Sequence, residues 1–196
     1  MARVARGIVA LALIGLVGCT AAKELAAIRQ VQFHLNGVSG ARMAGIPLDD
    51  VRSPSDLKAS DLARLSLAIA SGTVPLEVTV HVEGRNPETN TVTARLVAMD
   101  WTCLLDDRDL VSGRLDEPYS FAPGRARDVP IAVRCDLLNV IGRHRADLID
   151  AALSLSGRNT SRHRVSVRLT PTVDTALGRI RYPAPIILEL ATPETR

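Results

Sequence analysis

Between Val74 and Val82 the chain alternates without a break: Val74, Leu76, Val78, Val80 and Val82 are apolar, and Pro75, Glu77, Thr79 and His81 stand between them. Val31, Phe33 and Leu35 alternate with Gln30, Gln32, His34 and Asn36, and the pattern returns in Val129, Ile131, Val133 and Cys135 and in Val165, Val167 and Leu169. A repeat of two puts one side of a strand on a core and the other in water, as in antiparallel sheets. Turn-forming residues separate the runs at Asn86-Pro87-Glu88-Thr89-Asn90, Asp106-Asp107-Arg108-Asp109, Ala122-Pro123-Gly124 and Leu177-Gly178. One run changes phase. Val92, Ala94 and Leu96 keep one parity and Val97, Met99, Trp101, Cys103 and Leu105 the other. That predicts a bulge near Leu96 and Val97, because one inserted residue exchanges the two faces. Trp101 then becomes a core anchor.

Two segments carry helical spacing. Asp61 to Ser71 places Leu62, Leu65 and Ile69 on one stripe, with an acidic first turn and Gly72 as a stop. Arg143 to Ser156 stacks Leu148, Ala152 and Leu155, flanked by Ile149 and Leu153, and ends at Gly157. Each single stripe predicts packing against the sheets. The fold class expected is mainly β: an antiparallel sandwich or barrel with one long helix and a short N-terminal helix.

The first residues are of another kind. Arg3 and Arg6 precede an almost wholly apolar run from Gly7 to Gly18, which ends in Leu16-Val17-Gly18-Cys19. About twelve apolar residues make a helix of about 18 Å, too short to span a bilayer, so the run is expected to be a removable secretory segment. Leu-Val-Gly-Cys resembles the lipobox of bacterial lipoproteins. The resemblance implies cleavage before Cys19, diacylglycerol on its thiol and an acyl chain such as palmitate on its amine. Several buried acyl chains would hold a soluble domain on a membrane almost permanently. Thr20 stands where an Asp would resemble an inner-membrane retention signal, which favours the outer membrane, facing the periplasm. The division expected is a signal peptide at 1–18, an anchored segment with leading strands and a short helix at 19–72, and a β-sandwich domain at 73–192.

Composition narrows the classes. The 196 residues are 46% hydrophobic and 23% charged, which excludes a disordered chain. Formal charge is +3, and loss of Arg3 and Arg6 with the leader lowers it to +1. Aromatic residues are 3% of the chain, too few for a base-stacking platform, and no nucleic-acid partner is expected. With Cys19 acylated, Cys103 and Cys135 remain in an oxidising compartment. They could be bridged or could be two buried free thiols acting as small hydrophobes.

From Pro75 to Leu190 the sequence resembles the late-embryogenesis-abundant type 2 domain, also called the water-stress-and-hypersensitive-response (WHy) domain. The likeness rests on Arg85-Asn86-Pro87, on Trp101 leading into Leu105-Asp106-Asp107 and Leu110-Val111-Ser112-Gly113, and on Pro123-Gly124. It continues through Val129-Pro130-Ile131-Ala132-Val133, the long helix, Thr170-Pro171 and Gly178-Arg179-Ile180-Arg181-Tyr182-Pro183. Glu88 stands where that family often has a second Asn. Val31 to Leu48 resembles the leading strand pair of bacterial lipoprotein members. The resemblance implies about seven antiparallel strands in an immunoglobulin- or fibronectin-III-like sandwich, with one helix at its edge. It also implies a non-enzymatic stress- or desiccation-protective module that touches membranes or unstable client proteins. A lipid-handling accessory of the envelope is the alternative.

Chemistry is sparse. The chain has no Gly-x-Ser-x-Gly elbow, phosphate loop, His-Glu-x-x-His or Cys-x-x-Cys, so neither an enzyme nor a cofactor is expected. His34 and His81 fall on outward faces and are expected to be solvated. His144 and His163 each lie between arginines, which disfavours a metal and could instead form a small patch for anionic headgroups. Asp106, Asp107 and Asp109 have hairpin spacing rather than that of a calcium loop. Asn86 and Pro87 are expected to act as turn residues, Asn86 by satisfying its own backbone.

Overall fold

The computed structural model describes residues 30–142, 144–158, 163–175 and 178–190. The expected signal peptide and Cys19 lie outside the described residues, as do Arg143, Arg162 and Leu177. Among the described residues ten strands form two antiparallel sheets. The first sheet runs β2 (Ile46–Pro47), β1 (Gln32–Met43), β3 (Pro75–Arg85), β7 (Ala126–Asp136). The second runs β10 (Ile186–Glu189), β8 (Val165–Thr175), β4 (Ala94–Leu105), β5 (Arg108–Leu115), with β6 (Tyr119–Phe121) on β4 and β9 (Gly178–Arg181) on β8. The count exceeds the seven expected because β2, β6, β9 and β10 have four residues or fewer, too short to show a period. The strands at 30–72 are not a separate unit. β1 pairs with β3 along its length and adds Val31, Phe33 and Met43 to the common core.

The inward rows of both sheets meet in one apolar cluster, including Leu76, Val78, Val80, Val82, Met99, Trp101, Val129, Ile131, Val133, Val167 and Leu169. The predicted phase change is present: Leu96 faces Val173 and Ala98 faces Thr172, so Val97 is the extra residue. Trp101 is buried and lies opposite Gly113 on β5. A Cβ at Gly113 would overlap Cζ2 and Cε2 of the indole, so the missing side chain is what lets the ring lie flat over β5. Phe33 meets Phe121 edge to face across the sheets, with centroids 5.8 Å apart.

Helix α1 (Ala59–Ser71) accepts at its start through Asp61, whose carboxylate takes the Lys58 N–H, and stops at Gly72 with φ 84°. Its inward residue is Leu65, supported by Leu62 and Ile69, as the stripe predicts. A one-turn helix α2 (Leu138–Ile141) follows β7. Helix α3 (Arg145–Leu155) departs from expectation. Every residue from Leu148 to Leu155 is buried, Asp150 and Ser154 included. The helix therefore sits inside the molecule and not at its edge. The 3-10 turn Pro54–Asp56 that follows β2 is its neighbour, and its end at Gly157 lies near Val38 of β1 and Leu190 just after β10. Ser154 bonds back to the Asp150 carbonyl at 2.9 Å, which spares its hydroxyl an unmet bond in that setting.

Gly113→Ala tests the Trp101 contact. The added methyl is expected to lower stability by about 1–3 kcal/mol and to shift the emission of the single tryptophan to the red. Unchanged emission and melting would refute the close approach of ring and strand.

Candidate functional site

The outward face of the first sheet brings together three side chains of catalytic type. Ser39 on β1 is diagonal to His81 on β3, being paired with Thr79. Asp128 on β7 is diagonal on the other side, being paired with Glu83. Diagonal neighbours on one face lie within reach of each other. Ser39 Oγ is 2.8 Å from His81 Nε2, and Asp128 Oδ2 is 2.7 Å from His81 Nδ1. A carboxylate only accepts, so Asp128 selects the tautomer with the proton on Nδ1, and Nε2 then accepts the Ser39 hydroxyl proton. His81 is thus oriented from both sides and is not a freely solvated histidine. His34 and Glu83 form the next row, and Arg42 and Glu77 the row beyond Ser39.

Ser39 faces out because β1 is bulged twice. Leu35 pairs with Val82 and Gly37 with His81, which leaves Asn36 extra and turns Val38 inward. Gly40 and Ala41 then stand opposite Val78 alone, with Gly40 at φ 62°, a left-handed conformation that glycine adopts without strain. The initial phase of Val31, Phe33 and Leu35, extended without a bulge, would bury Ser39.

Asn86 is fully buried, and its role is wider than the expected turn. Its amide donates to the carbonyls of Phe121 (2.8 Å) and Val92 (3.1 Å), while its Oδ1 accepts from Asn90 Nδ2 (2.8 Å). Its own N–H and carbonyl pair with Arg125 and Gly124. One side chain therefore fastens the end of β3 to the end of β6 and to the approach to β4. Pro87 accepts the Asn90 N–H and closes the turn.

The Asp106–Asp109 segment is a hairpin turn, as its spacing predicts. Asp106 and Asp107 have φ 50° and 64° between β4 and β5. Its charges are engaged: Asp106 meets His163 Nδ1 at 2.7 Å and the Arg164 N–H at 2.9 Å, Asp107 meets Arg164 at 3.2 Å, and Asp109 meets Arg168 at 3.1 Å. Burial works to raise the Asp106 carboxyl, but His163 and Arg164 outweigh it and hold it below its ordinary value. The described part of the 162–164 triplet, His163 and Arg164, is paired with carboxylates. Among the described residues no group of three or more His, Cys, Asp or Glu side chains could hold a metal ion, and no helix is long and apolar enough to cross a membrane.

Cys103 on β4 and Cys135 on β7 approach the same core from opposite sheets, as free thiols. Burial pushes Cys103 up to about 12, with Cys135 adding to the shift, and burial pushes Cys135 up to about 11. Thiols so poor in thiolate are weak nucleophiles.

No family profile matches the chain, and no curated protein matches it in sequence. Among solved structures it is similar to a protein from Archaeoglobus fulgidus, at 12% identity over 79% of this chain and 93% of that one, with a TM-score of 0.37. It is similar also to a protein named as late embryogenesis abundant (LEA), at 14% identity over 94% of this chain and 82% of that one, with a TM-score of 0.39. An Arabidopsis thaliana protein matches at 14% identity over 57% of this chain and 66% of that one, with a TM-score of 0.34. At these scores none of the three bears on what this chain does.

Two outcomes test the geometry. Asn86→Ala is expected to cost about 2–4 kcal/mol by orphaning buried partners, and the near-isosteric Asn86→Asp at least as much at neutral pH, since a carboxylate would face two carbonyls. A neutral N86D would reduce Asn86 to a space filler. In a Cys19→Ser chain, Cys103 and Cys135 should stay silent to a thiol reagent when folded and titrate as two thiols on unfolding without reductant. No titratable thiol would show that they are bridged.

Proposed function

We propose that the chain is a membrane-tethered module of the cell envelope that protects by surface contact, a role that needs no catalysis, under drying or related stress. The observation that carries this reading is the contrast between interior and surface. The inward side chains of the sheets form one apolar cluster, to which α3 adds Leu148, Leu153 and Leu155, and this favours contact at the surface over carriage of a lipid within. Both outer faces are polar and carry charges of both signs. On the second sheet Asp100 pairs with Arg114 at 2.8 Å and Arg181 at 2.9 Å, and Arg168 with Asp109. Isolated surface pairs of this kind add little stability, so their value lies in a hydrated face without a strong field of one sign. The large exposed apolar side chains among the described residues, Leu67, Val140 and Ile187, lie on three different elements and form no docking patch. Hydrated, charge-balanced faces suit contact with headgroups or with partly unfolded client proteins as water is withdrawn. The sequence resemblance to the type 2 late-embryogenesis-abundant domain agrees with that use, and Cys19 would supply the anchor at the outer membrane, facing the periplasm. A second reading, an enzyme, has one observation in its favour: the Ser39–His81–Asp128 arrangement.

Bacteria making the full chain, the Cys19→Ser chain or neither are dried and rewetted, with labelled palmitate supplied during growth. The expected result is label on the full chain alone and survival that is highest with it. Equal survival in all three, or label on C19S, would contradict the proposal.

A further inference from the structure

We propose that Ser39 is an acyl-accepting nucleophile and that the outward face of the first sheet cleaves small carboxylic esters. This rests on the second, enzymatic reading above and is independent of protection by contact. The hydrogen-bond chain has the order that acyl transfer by serine requires: hydroxyl to Nε2 at 2.8 Å, Nδ1 to carboxylate at 2.7 Å. Each member comes from a different strand of one continuous sheet, β1, β3 and β7, so ladder hydrogen bonds and not loops set the spacing. Strands hold such geometry more tightly than loops do. The arrangement needs the Asn36 bulge, without which Ser39 would face the core.

The chemistry balances with water as the only co-reactant. Ser39 Oγ bonds to the ester carbonyl carbon while His81 Nε2 takes the hydroxyl proton. The tetrahedral adduct expels the alkoxide, which takes that proton and leaves as an alcohol. Water then adds to the acyl-serine with His81 again as base, releasing the carboxylic acid and restoring the hydroxyl. Asp128 keeps the imidazole in the required tautomer and steadies its positive form. The peptide after Ser39 belongs to the second bulge, where regular pairing is interrupted.

The substrate class follows from the surroundings. Ser39 is exposed, and the surface clefts lined by Thr91, Val92, Thr93 and Arg95 and by Leu105, Asp106, Arg108, Val140 and Ile141 include none of the three residues. The Ser39 hydroxyl is therefore open to small esters from solvent. The same face carries Arg42 and Arg134 beside Glu77 and Glu83, so it has no strong field of one sign.

The full chain in detergent is treated with a fluorophosphonate probe and, separately, with p-nitrophenyl acetate. The expected result is probe attached to Ser39, as mapped by peptide mass spectrometry, and ester cleavage at least about tenfold above S39A. H81Q should slow labelling of Ser39 by about a hundredfold or more, and D128N should slow it less. All three positions are on the sheet surface, so the variants should melt like the parent. No label on Ser39 in the folded parent, or equal labelling in H81Q, would overturn the proposal. Protection on drying that survives in S39A separates failure of this site from failure of the contact reading.

Discussion

The inward rows of two sheets must stay apolar to share one core with a helix buried from Leu148 to Leu155, and much of the rest of the structure follows from that demand. A strand exposes alternate residues to the core whatever its sequence. Where the apolar phase slips, the backbone has to absorb the difference. On β4 it does so at Val97, which keeps Leu96 and then Met99 and Trp101 inside. On β1 it does so twice, at Asn36 and at Gly40–Ala41, so that Phe33, Val38 and Met43 serve one core although the inward phase switches and switches back between them. The same demand explains two glycines. Gly113 leaves room for the Trp101 indole, and Gly84 for the Phe121 ring.

The outer surface inherits its arrangement from these corrections. Each bulge that returns an apolar residue to the core also re-aims the polar residue beside it. Turning Val38 inward puts Ser39 outward, next to a histidine already held by Asp128. At the other end of β3, Asn86 performs a complementary task by tying that strand to β6 with buried hydrogen bonds, which fixes one sheet against the other where apolar packing has no direction of its own.

Much of the fold was legible because it depends on periods that sequence displays directly. The strands around Val78, Ile131 and Val167, the phase change at Val97, the inward Trp101, and the helix stops at Gly72 and Gly157 could all be read from spacing. The interior position of α3 could not. Its stripe of Leu148, Ala152 and Leu155 looks like that of a surface helix, and nothing in that spacing tells that Asp150 and Ser154 are buried too. The reach of Asn86 was equally hidden, since a turn asparagine and a long-range hub are the same residue in sequence. The Ser39 constellation was missed for a sharper reason: its members are 42 and 47 residues apart, and β1 had to be bulged before Ser39 and His81 shared a face. Glycines at 37 and 40 were the available signal, because glycine inside an alternating run marks a bulge.

The bulge at Asn36 places Ser39 on one side of His81, and the unbroken β3–β7 register places Asp128 on the other. Long-range proton–nitrogen NMR of the His81 ring reports this directly, because it distinguishes the two neutral tautomers. The account predicts a single neutral form with the proton on Nδ1 and a through-space contact from the ring to the Ser39 side chain. A ring protonated on Nε2, or one averaging between tautomers with no contact to Ser39, would contradict it.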